Sequence, residues 1–145
     1  MRVYVASSWR CERQPSVVVA LRDAGHDVYD FRNPTSDDHG FSWSEIDPNW
    51  QAWTAAEQVG AYGHLAAQRG LRLDHEALKW CDALVMVQPC GRSAALELGW
   101  AIGAGKRTVV LIAEGQEPEL MLRLADRLCL HLDDVLVFLR EGVTP

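Results

Sequence analysis

The segment GRSAALELGWAIGAG, residues 91–105, is almost wholly apolar after Ser93, yet it carries one acidic residue, Glu97. The residues three and four positions away along a helix include no lysine or arginine that could pair with it. Burying an ionised carboxylate without a partner is costly, so such a group is normally neutral or placed at a solvated cleft. The first turn of a helix, here predicted to begin after Ser93 as N-cap, favours an anion by about 0.3–1 kcal/mol. Glu97 is therefore either a nucleophile or sugar-hydroxyl ligand at a cleft, or a glutamate that is partly exposed or bridges subunits.

Asp74 is a second acid with a possible role in chemistry. Leu71, Ala77 and Leu78 lie three or four residues away, which predicts that Asp74 sits on a largely apolar helical stripe. The alternative is an aspartate at a helix end or an interface. Asp82 begins a strand at the opposite edge of the predicted sheet, and we interpret it as structural.

Strands and helices that could position these acids alternate along the sequence. Apolar runs predict strands at 2–6, 26–31, 82–89, 107–113 and 127–132. Helical patterns end at Gly25, run from a Thr54–Glu57 capping box toward Trp80, cover 91–105, and recur near 118–126 and from Asp133. The pattern predicts one α/β domain over residues 1–145, a flavodoxin-like three-layer sandwich whose five-stranded parallel sheet has the order 2-1-3-4-5.

In such a sheet, ligands bind beyond the carboxyl ends of the strands at the point where the strand order reverses, here between strands one and three. The loop after strand one carries Ser7, Ser8 and Arg10, and the loop after strand three carries Arg92 and Ser93 next to a helix N-terminus. Hydroxyl groups, guanidinium groups and a helix N-terminus suit an anion. The alternative for each arginine is a solubilising position on the surface.

A long irregular segment, residues 32–53, is too polar and too rich in proline and glycine to form a regular element. Loops of this length in small domains are usually functional or disordered. Trp43, and Trp9 after strand one, are predicted to stack on a planar ligand group, which the family resemblance described below implies is a nucleobase, whereas Trp50 and Trp53 are predicted to form a satellite core. Asp47 either contacts the edge of a base or forms a turn.

Composition excludes several classes of protein. The 145 residues carry a net charge of −6 without a basic block, which argues against a nucleic acid polymer or an anionic membrane as partner. No run of 18 apolar residues and no signal-peptide pattern is present, so we expect a cytoplasmic protein that binds a small molecule. The four cysteines and five histidines lack metal-ligand spacing, and no metal or organic cofactor is predicted.

Three stretches resemble the nucleoside 2-deoxyribosyltransferase family and its relatives that hydrolyse nucleoside 5'-monophosphates. They are VYVASSWR near the N-terminus, Asp74 eight residues before Asp82, and GRSAALELGWAIGAGK. The resemblance implies that Glu97 attacks the anomeric carbon, that Asp74 assists the leaving base, and that Tyr4 positions the nucleophile. It also implies a homo-oligomer, which the Ala-, Gly- and Trp-rich helices suggest as well.

One departure from the family concerns the substrate. Many deoxyribosyltransferases carry a further aspartate in the loop that Gly91 and Arg92 occupy here. In the phosphohydrolase relatives, residues resembling Ser8, Arg10 and Ser93 hold the 5'-phosphate. The sequence therefore favours cleavage of the N-glycosidic bond of a (deoxy)nucleoside or its 5'-monophosphate. The alternatives are a base-exchanging 2-deoxyribosyltransferase and a non-catalytic nucleotide-binding or signalling module.

Overall fold

The computed structural model describes residues 1–141, in which strands and helices alternate. The strands are β1 (Arg2–Ala6), β2 (Asp27–Asp30), β3 (Ala83–Val87), β4 (Arg107–Leu111) and β5 (Arg127–Cys129). The helices are α1 (Gln14–Asp23), α2 (Ala55–Tyr62), α3 (Leu65–Trp80), α4 (Arg92–Gly103) and α5 (Leu132–Arg140). Three short 3-10 helices cover Trp43–Glu45, Trp50–Ala52 and Leu120–Leu124. Within the described part of the chain, no helix is long and apolar enough to cross a membrane.

The five strands form one parallel sheet in the order β2-β1-β3-β4-β5, as the sequence predicts. Apolar strand residues on both faces explain this arrangement, because each face of the sheet must be covered by helices. Val3, Val5 and Val85 pack in a core on the side of α1 and α5, whereas Tyr4 and Leu84 pack on the side of α3 and α4. The predicted α/β three-layer sandwich is confirmed. Its interpretation as a single domain over residues 1–145 stays a prediction.

The predicted helix from Thr54 to Trp80 is in fact two helices. The capping box is confirmed: the Thr54 side chain accepts a hydrogen bond from the Glu57 backbone N–H, and the Glu57 carboxylate accepts one from the Thr54 backbone N–H. Helix α2 ends with Gly63 as its C-cap, and α3 begins with His64 as its N-cap. His64 Nδ1 accepts a hydrogen bond from the Ala66 N–H at 3.1 Å. A neutral imidazole nitrogen can substitute for the usual hydroxyl or carboxylate cap, and the sequence pattern gives no sign of this.

Other predicted elements are shorter than expected. The segment near 118–126 forms only the 3-10 helix Leu120–Leu124, and the loop 32–53 contains two 3-10 turns where the sequence predicts no regular element. Strand β5 ends at Cys129, three residues before the predicted boundary. Element ends are poorly marked in sequence because capping depends on local backbone geometry.

Lys106, at the end of the GAGK stretch, holds α3 in place. Its Nζ donates hydrogen bonds to the carbonyl oxygens of Lys79 at 3.0 Å and Cys81 at 2.7 Å. These carbonyl groups belong to the C-terminal end of α3, where a cation is favourable. Lys106 therefore fixes the helix that carries Asp74. Asp82 pairs with Arg2 at 2.5 Å, in agreement with its predicted structural role.

Candidate active site

Four side chains from four elements meet on the α3 and α4 side of the sheet: Tyr4 from β1, Tyr29 from β2, Asp74 from α3 and Glu97 from α4. Tyr4 and Tyr29 are direct partners in the β1–β2 register, and their rings stack with centroids 5.1 Å apart. The Tyr29 hydroxyl donates a hydrogen bond to Asp74 Oδ1 at 2.7 Å. The fold thus brings together the three residues predicted to be catalytic, with a fourth that the sequence analysis missed.

Glu97 forms no ion pair with any lysine or arginine among residues 1–141. Burial, together with the negative charge of Asp74, raises its pKa from 4.5 to about 8. The protonated form of Glu97 is therefore favoured up to a higher pH than in a free glutamate. The helix begins at Arg92, so Glu97 is its sixth residue and lies beyond the first turn, where the helix dipole acts most strongly. Burial therefore has a larger effect on the pKa of Glu97 than the helix dipole has.

Tyr4 is fully buried, and its hydroxyl makes no hydrogen bond to any described residue. Burial and then the charges of Glu97 and Asp74 raise the pKa of this phenol. The hydroxyl lies close enough to Glu97 to lower the carboxyl pKa slightly, but it does not reach hydrogen-bond geometry. Buried polar groups are rarely left without a partner, so a donor facing an acid here indicates a site prepared for a reaction or a ligand.

Asp74 lies half-buried on the inner side of α3. Ala77 and Leu78, on the same side, are buried, but Leu71 is 71% exposed. The predicted apolar stripe is therefore wrong at Leu71, because the helix turns this position toward the solvent. Burial raises the pKa of Asp74, the hydrogen bond from Tyr29 counteracts part of the rise, and the charge of Asp38 adds to it.

The loop after β1 places its four predicted ligands differently. Ser7 is buried, and its hydroxyl donates to the Val87 carbonyl oxygen at 2.8 Å, which joins the ends of β1 and β3. The Ser8 hydroxyl accepts a hydrogen bond from the Arg10 N–H at 3.2 Å. The Arg10 side chain is exposed and makes no hydrogen bond within the described residues, and Trp9 is half exposed. Ser8 and Arg10 therefore stay candidates for anion binding, whereas the Ser7 hydroxyl is engaged in a hydrogen bond that stabilises the sheet.

Arg32, which the sequence analysis did not single out, holds this loop. Its Nη2 donates to the carbonyl oxygens of Ser8 at 2.8 Å, Trp9 at 3.1 Å and Cys11 at 2.9 Å. Its guanidinium group also lies over the Trp9 ring, 5.5 Å from the centroid. A guanidinium group with several donors in a fixed plane suits three converging carbonyl groups. Arg32 therefore determines the conformation of residues 8–11.

The N-terminus of α4 is open. Gly91 is the N-cap and offers no side chain, so the prediction that Ser93 caps the helix is wrong. The chain arrives at Gly91 in an extended conformation, and the helix begins one residue before Ser93. Arg92 and Ser93 are exposed and form no side-chain hydrogen bond within residues 1–141. Backbone N–H groups, one hydroxyl and one guanidinium group thus face the solvent beyond β3.

Trp43 lies at the centre of an aromatic cluster, with ring centroids 4.7 Å from Phe41, 5.8 Å from Trp53 and 5.6 Å from Tyr62. Trp53 belongs to this satellite core, as predicted. Trp43, for which the sequence predicts contact with a base, belongs to it as well. Contact of Trp43 with a base stays a prediction. Asp47 accepts hydrogen bonds from the Asn49 N–H and the Trp53 indole at 2.8 and 2.7 Å, so both its oxygens stabilise the loop.

The loop packs against α3 at Gly70. A Cβ atom at Gly70 would lie only 2.8 Å from Phe41 Cβ, so glycine allows this close approach. Trp9 connects the loop to the β1 end, since its indole N–H donates to the Phe41 carbonyl oxygen at 3.2 Å. Arg69 adds ion pairs to Asp38 and Glu45, each at 3.3 Å. The segment 32–53 therefore forms a wall beside Asp74.

Two clefts lie on the surface of the protein. One of about 520 Å³ follows β2 and is bounded by Tyr29, Asp30 and Trp80. Another of about 420 Å³ lies at the amino end of β4, next to Arg107 and Phe138, far from the carboxyl ends of the strands. Neither is lined by Glu97. The position of the acids, rather than cleft size, identifies the candidate site. Residues 1–141 contain no group of three His, Cys, Asp or Glu side chains placed to hold a metal ion.

The comparisons with known proteins agree on the architecture. No protein-family model matches the chain, and no curated protein is significantly similar to it. Among solved structures, the 2-deoxyribosyltransferase from Bacillus psychrosaccharolyticus is 22% identical over 100% of this chain and 98% of that chain, with a TM-score of 0.62. The chain shares the fold of this enzyme. The shared fold agrees with the predicted α/β sandwich and its five-stranded parallel sheet.

Two further solved structures share this α/β fold. The CMP N-glycosidase BcmB from Clostridium botulinum is 19% identical over 97% of this chain and 99% of that chain, with a TM-score of 0.53. A conserved protein from Enterococcus faecalis V583 is 14% identical over 97% of this chain and 98% of that chain, with a TM-score of 0.61. At these identities the comparisons establish the fold, and the chemistry must be argued from the side chains.

Proposed function

We propose that this protein cleaves the N-glycosidic bond of a (deoxy)nucleoside or its 5'-monophosphate and releases the base, with Glu97 as the nucleophile. The observation that carries the proposal is a partly buried carboxyl group with no cationic partner within residues 1–141, next to a second acid and to a buried phenol whose hydroxyl makes no hydrogen bond there. The shared fold with a deoxyribosyltransferase and a CMP N-glycosidase supports the same chemistry.

The proposed reaction proceeds in two displacements. Ionised Glu97 attacks C1' of the sugar, the C1'–N bond breaks with its electron pair going to the base, and Asp74 provides the proton directly or through water. Water then attacks C1' of the glycosyl ester, the C1'–O bond to Glu97 breaks and returns its electron pair to the carboxylate, and Asp74 takes up the proton that the water loses. Attack from opposite faces in the two steps retains the configuration. Asp74 as a half-buried acid with a raised pKa suits proton transfer near neutral pH.

Burial of Glu97 favours the covalent intermediate. The attacking carboxylate is charged, whereas the glycosyl ester that it forms is neutral. Removing water from the site, which raises the pKa of Glu97 to about 8, penalises the charged form and not the ester. The same environment therefore disfavours the ionised resting state and favours the step that consumes its charge.

A 5'-phosphate is the proposed anchor of the substrate. The exposed Arg10, Arg92 and Ser93 side chains make no hydrogen bond within residues 1–141, and the N-terminus of α4, to which Arg92 and Ser93 belong, has no side-chain cap. Helix N-termini and guanidinium groups bind phosphate through N–H donors and positive charge. We therefore propose a nucleoside 5'-monophosphate rather than a free nucleoside.

Covalent trapping tests the proposal. The protein is incubated with a 2'-fluoro-2'-deoxynucleoside 5'-monophosphate, whose fluorine slows breakdown of the ester, and intact mass and peptide mapping locate an adduct. We expect the mass of the fluorosugar phosphate on the peptide that contains Glu97. Glu97→Gln should form no adduct, whereas the exposed Glu117→Gln should react as the wild type does. An adduct elsewhere, or base release without any adduct, would overturn the nucleophile assignment.

Two alternatives give different results in the same assays. Base exchange, the reaction named for the Bacillus psychrosaccharolyticus neighbour, requires a free base to accept the sugar from Glu97. It predicts a new nucleoside when a second base is added and no phosphate requirement. A non-catalytic nucleotide-binding module predicts instead that Glu97→Gln keeps nucleotide affinity while neither protein releases base.

Self-association is also proposed. Leu120, Met121 and Leu124 on the 3-10 helix before β5 are 86%, 66% and 57% exposed, and Leu128 and Leu130 are exposed as well. Several large apolar side chains exposed close together in the sequence favour an interaction site in this part of the chain. A second copy of the chain is the occupant that the family resemblance implies. A cytoplasmic location stays a prediction.

A further inference from the structure

We propose that Tyr29 is a positioning residue that fixes the Asp74 carboxyl group for proton transfer to the leaving base. The inference rests on the proposed function. Tyr29 lies on β2, and its hydroxyl donates a hydrogen bond to Asp74 Oδ1 at 2.7 Å. Because only Oδ1 is engaged within residues 1–141, this bond leaves Oδ2 free for the base or a bridging water.

The sheet holds the Tyr29 ring in place. Tyr29 is paired with Tyr4 in the β1–β2 register, and the two rings stack at an angle of 23° between their planes. Tyr4 is fully buried and cannot move without disturbing the core. Two strands rather than a flexible loop therefore fix the position of the Tyr29 hydroxyl. A group that orients the Asp74 carboxyl for proton transfer requires such a fixed position.

The charged groups around Asp74 and the Tyr29 hydroxyl have opposite effects on the pKa of Asp74. Asp38 from the loop, itself paired with Arg69, adds negative charge and raises the pKa of Asp74. Glu97 from α4 is close enough for the charge of Asp74 to raise its pKa, and the charges of both acids raise the pKa of Tyr4 from β1. No lysine or arginine within residues 1–141 pairs with Asp74. Tyr29 is thus the donor that opposes the rise and sets the acidity of Asp74.

Tyr29→Phe tests the proposal, because phenylalanine keeps the stacked ring and removes only the donor. With a nucleoside 5'-monophosphate, we expect kcat to fall about tenfold or more, as for loss of a hydrogen bond to a charged group, while KM changes less than threefold. The limb of the pH profile that depends on Asp74 should move to higher pH. Tyr62→Phe is the matched control, since the Tyr62 hydroxyl is a partner of Gln58 on exposed α2, and it should leave both unchanged.

A structural role alone would lower the thermal midpoint of Tyr29→Phe and leave kcat and the pH limb unchanged, which would overturn the proposal. A second measurement does not depend on turnover: carbon-13 NMR titration of aspartate-labelled protein, with the Asp74 signal assigned by Asp74→Asn. The pKa of Asp74 should be higher in Tyr29→Phe than in the wild type, and an unchanged value would also overturn the proposal. If the wild type cleaves no nucleotide, the proposed function fails, whereas the titration still decides whether Tyr29 controls Asp74.

Discussion

Replacing Glu97 by glutamine should stabilise the protein at alkaline pH while abolishing its proposed activity. The native state raises the pKa of Glu97 from 4.5 to about 8, so between these values the folded protein binds a proton that the unfolded chain has released. Folding stability therefore falls as pH rises through this window. It is fully retained below about pH 4.5 and the loss is complete above about pH 8. Glutamine has nearly the same shape and no charge, so the variant lacks this loss.

The magnitude follows from the two pKa values. Their difference corresponds to about 5 kcal/mol at about 1.36 kcal/mol per pKa unit, which is an upper limit. Solvent reaches part of the Glu97 side chain, and screening reduces the figure. We expect the variant to exceed the wild type by about 2 kcal/mol at pH 9, or about 4–8 °C in Tm for a chain of this size.

Urea denaturation and thermal unfolding of both proteins at pH 5, 7 and 9 provide the assay. Taking the difference between variant and wild type at each pH cancels the other titrating groups. The difference should be small at pH 5 and grow toward pH 9, whereas Glu117→Gln, at an exposed loop position, should show no such trend. A pH-independent difference, or a variant less stable than the wild type at pH 9, would refute the argument that Glu97 is buried without compensation.

Three further substitutions test the parts that surround the acids. Arg32→Ala removes three hydrogen bonds to the loop after β1 and should raise KM for a nucleotide at least tenfold, with a stability loss of about 2 kcal/mol by urea denaturation. Arg22→Ala, which loses one exposed bond to Val28, should do neither, and an equal effect would contradict the loop argument. Gly70→Ala places a Cβ 2.8 Å from Phe41 and should increase hydrogen exchange in residues 38–47, whereas Gly60→Ala, with no neighbour within 4 Å, should stabilise α2 by about 0.5–1 kcal/mol. Tyr4→Phe removes a buried hydroxyl without a partner, so its Tm should be unchanged or higher while adduct formation at Glu97 slows; a large loss of Tm would show that the hydroxyl is satisfied.

The sheet order was predictable because long-range topology follows from the alternation of apolar strands with helices and from the handedness of their connections. Glu97 was predictable for a different reason: a lone acid in an apolar helical segment conflicts with ordinary burial, and such conflicts mark functional sites. The Thr54–Glu57 capping box was predictable because its signal is contained in four residues. These are cases in which either local chemistry or a strong general rule decides the outcome.

Tyr29 and Arg32 could not be recognised in the same way. A tyrosine in a strand is ordinary β-sheet composition, and its role depends on its register opposite Tyr4 and on a contact 45 residues away along the chain. One signal was available: in the predicted order, strand two lies next to strand one, so the two tyrosines could have been aligned. For Arg32, the three carbonyl groups converge only after the loop has folded. The cap at Gly91 was missed because its backbone geometry, not its side chain, begins the helix.

The pKa of Glu97 depends on its burial in the folded protein, which the sequence alone does not give. A helix dipole contributes about 0.3–1 kcal/mol near the first turn, whereas desolvation and the neighbouring Asp74 raise the pKa of Glu97 to about 8. Burial and the Asp74 charge therefore outweigh the helix dipole and favour the neutral form of Glu97. In the proposed reaction, the positive charge that develops on the sugar as the C1'–N bond weakens stabilises the carboxylate at the moment when the bond is breaking. A buried acid with a raised pKa thus directs its electrostatic attraction toward the transition state rather than toward the bound substrate.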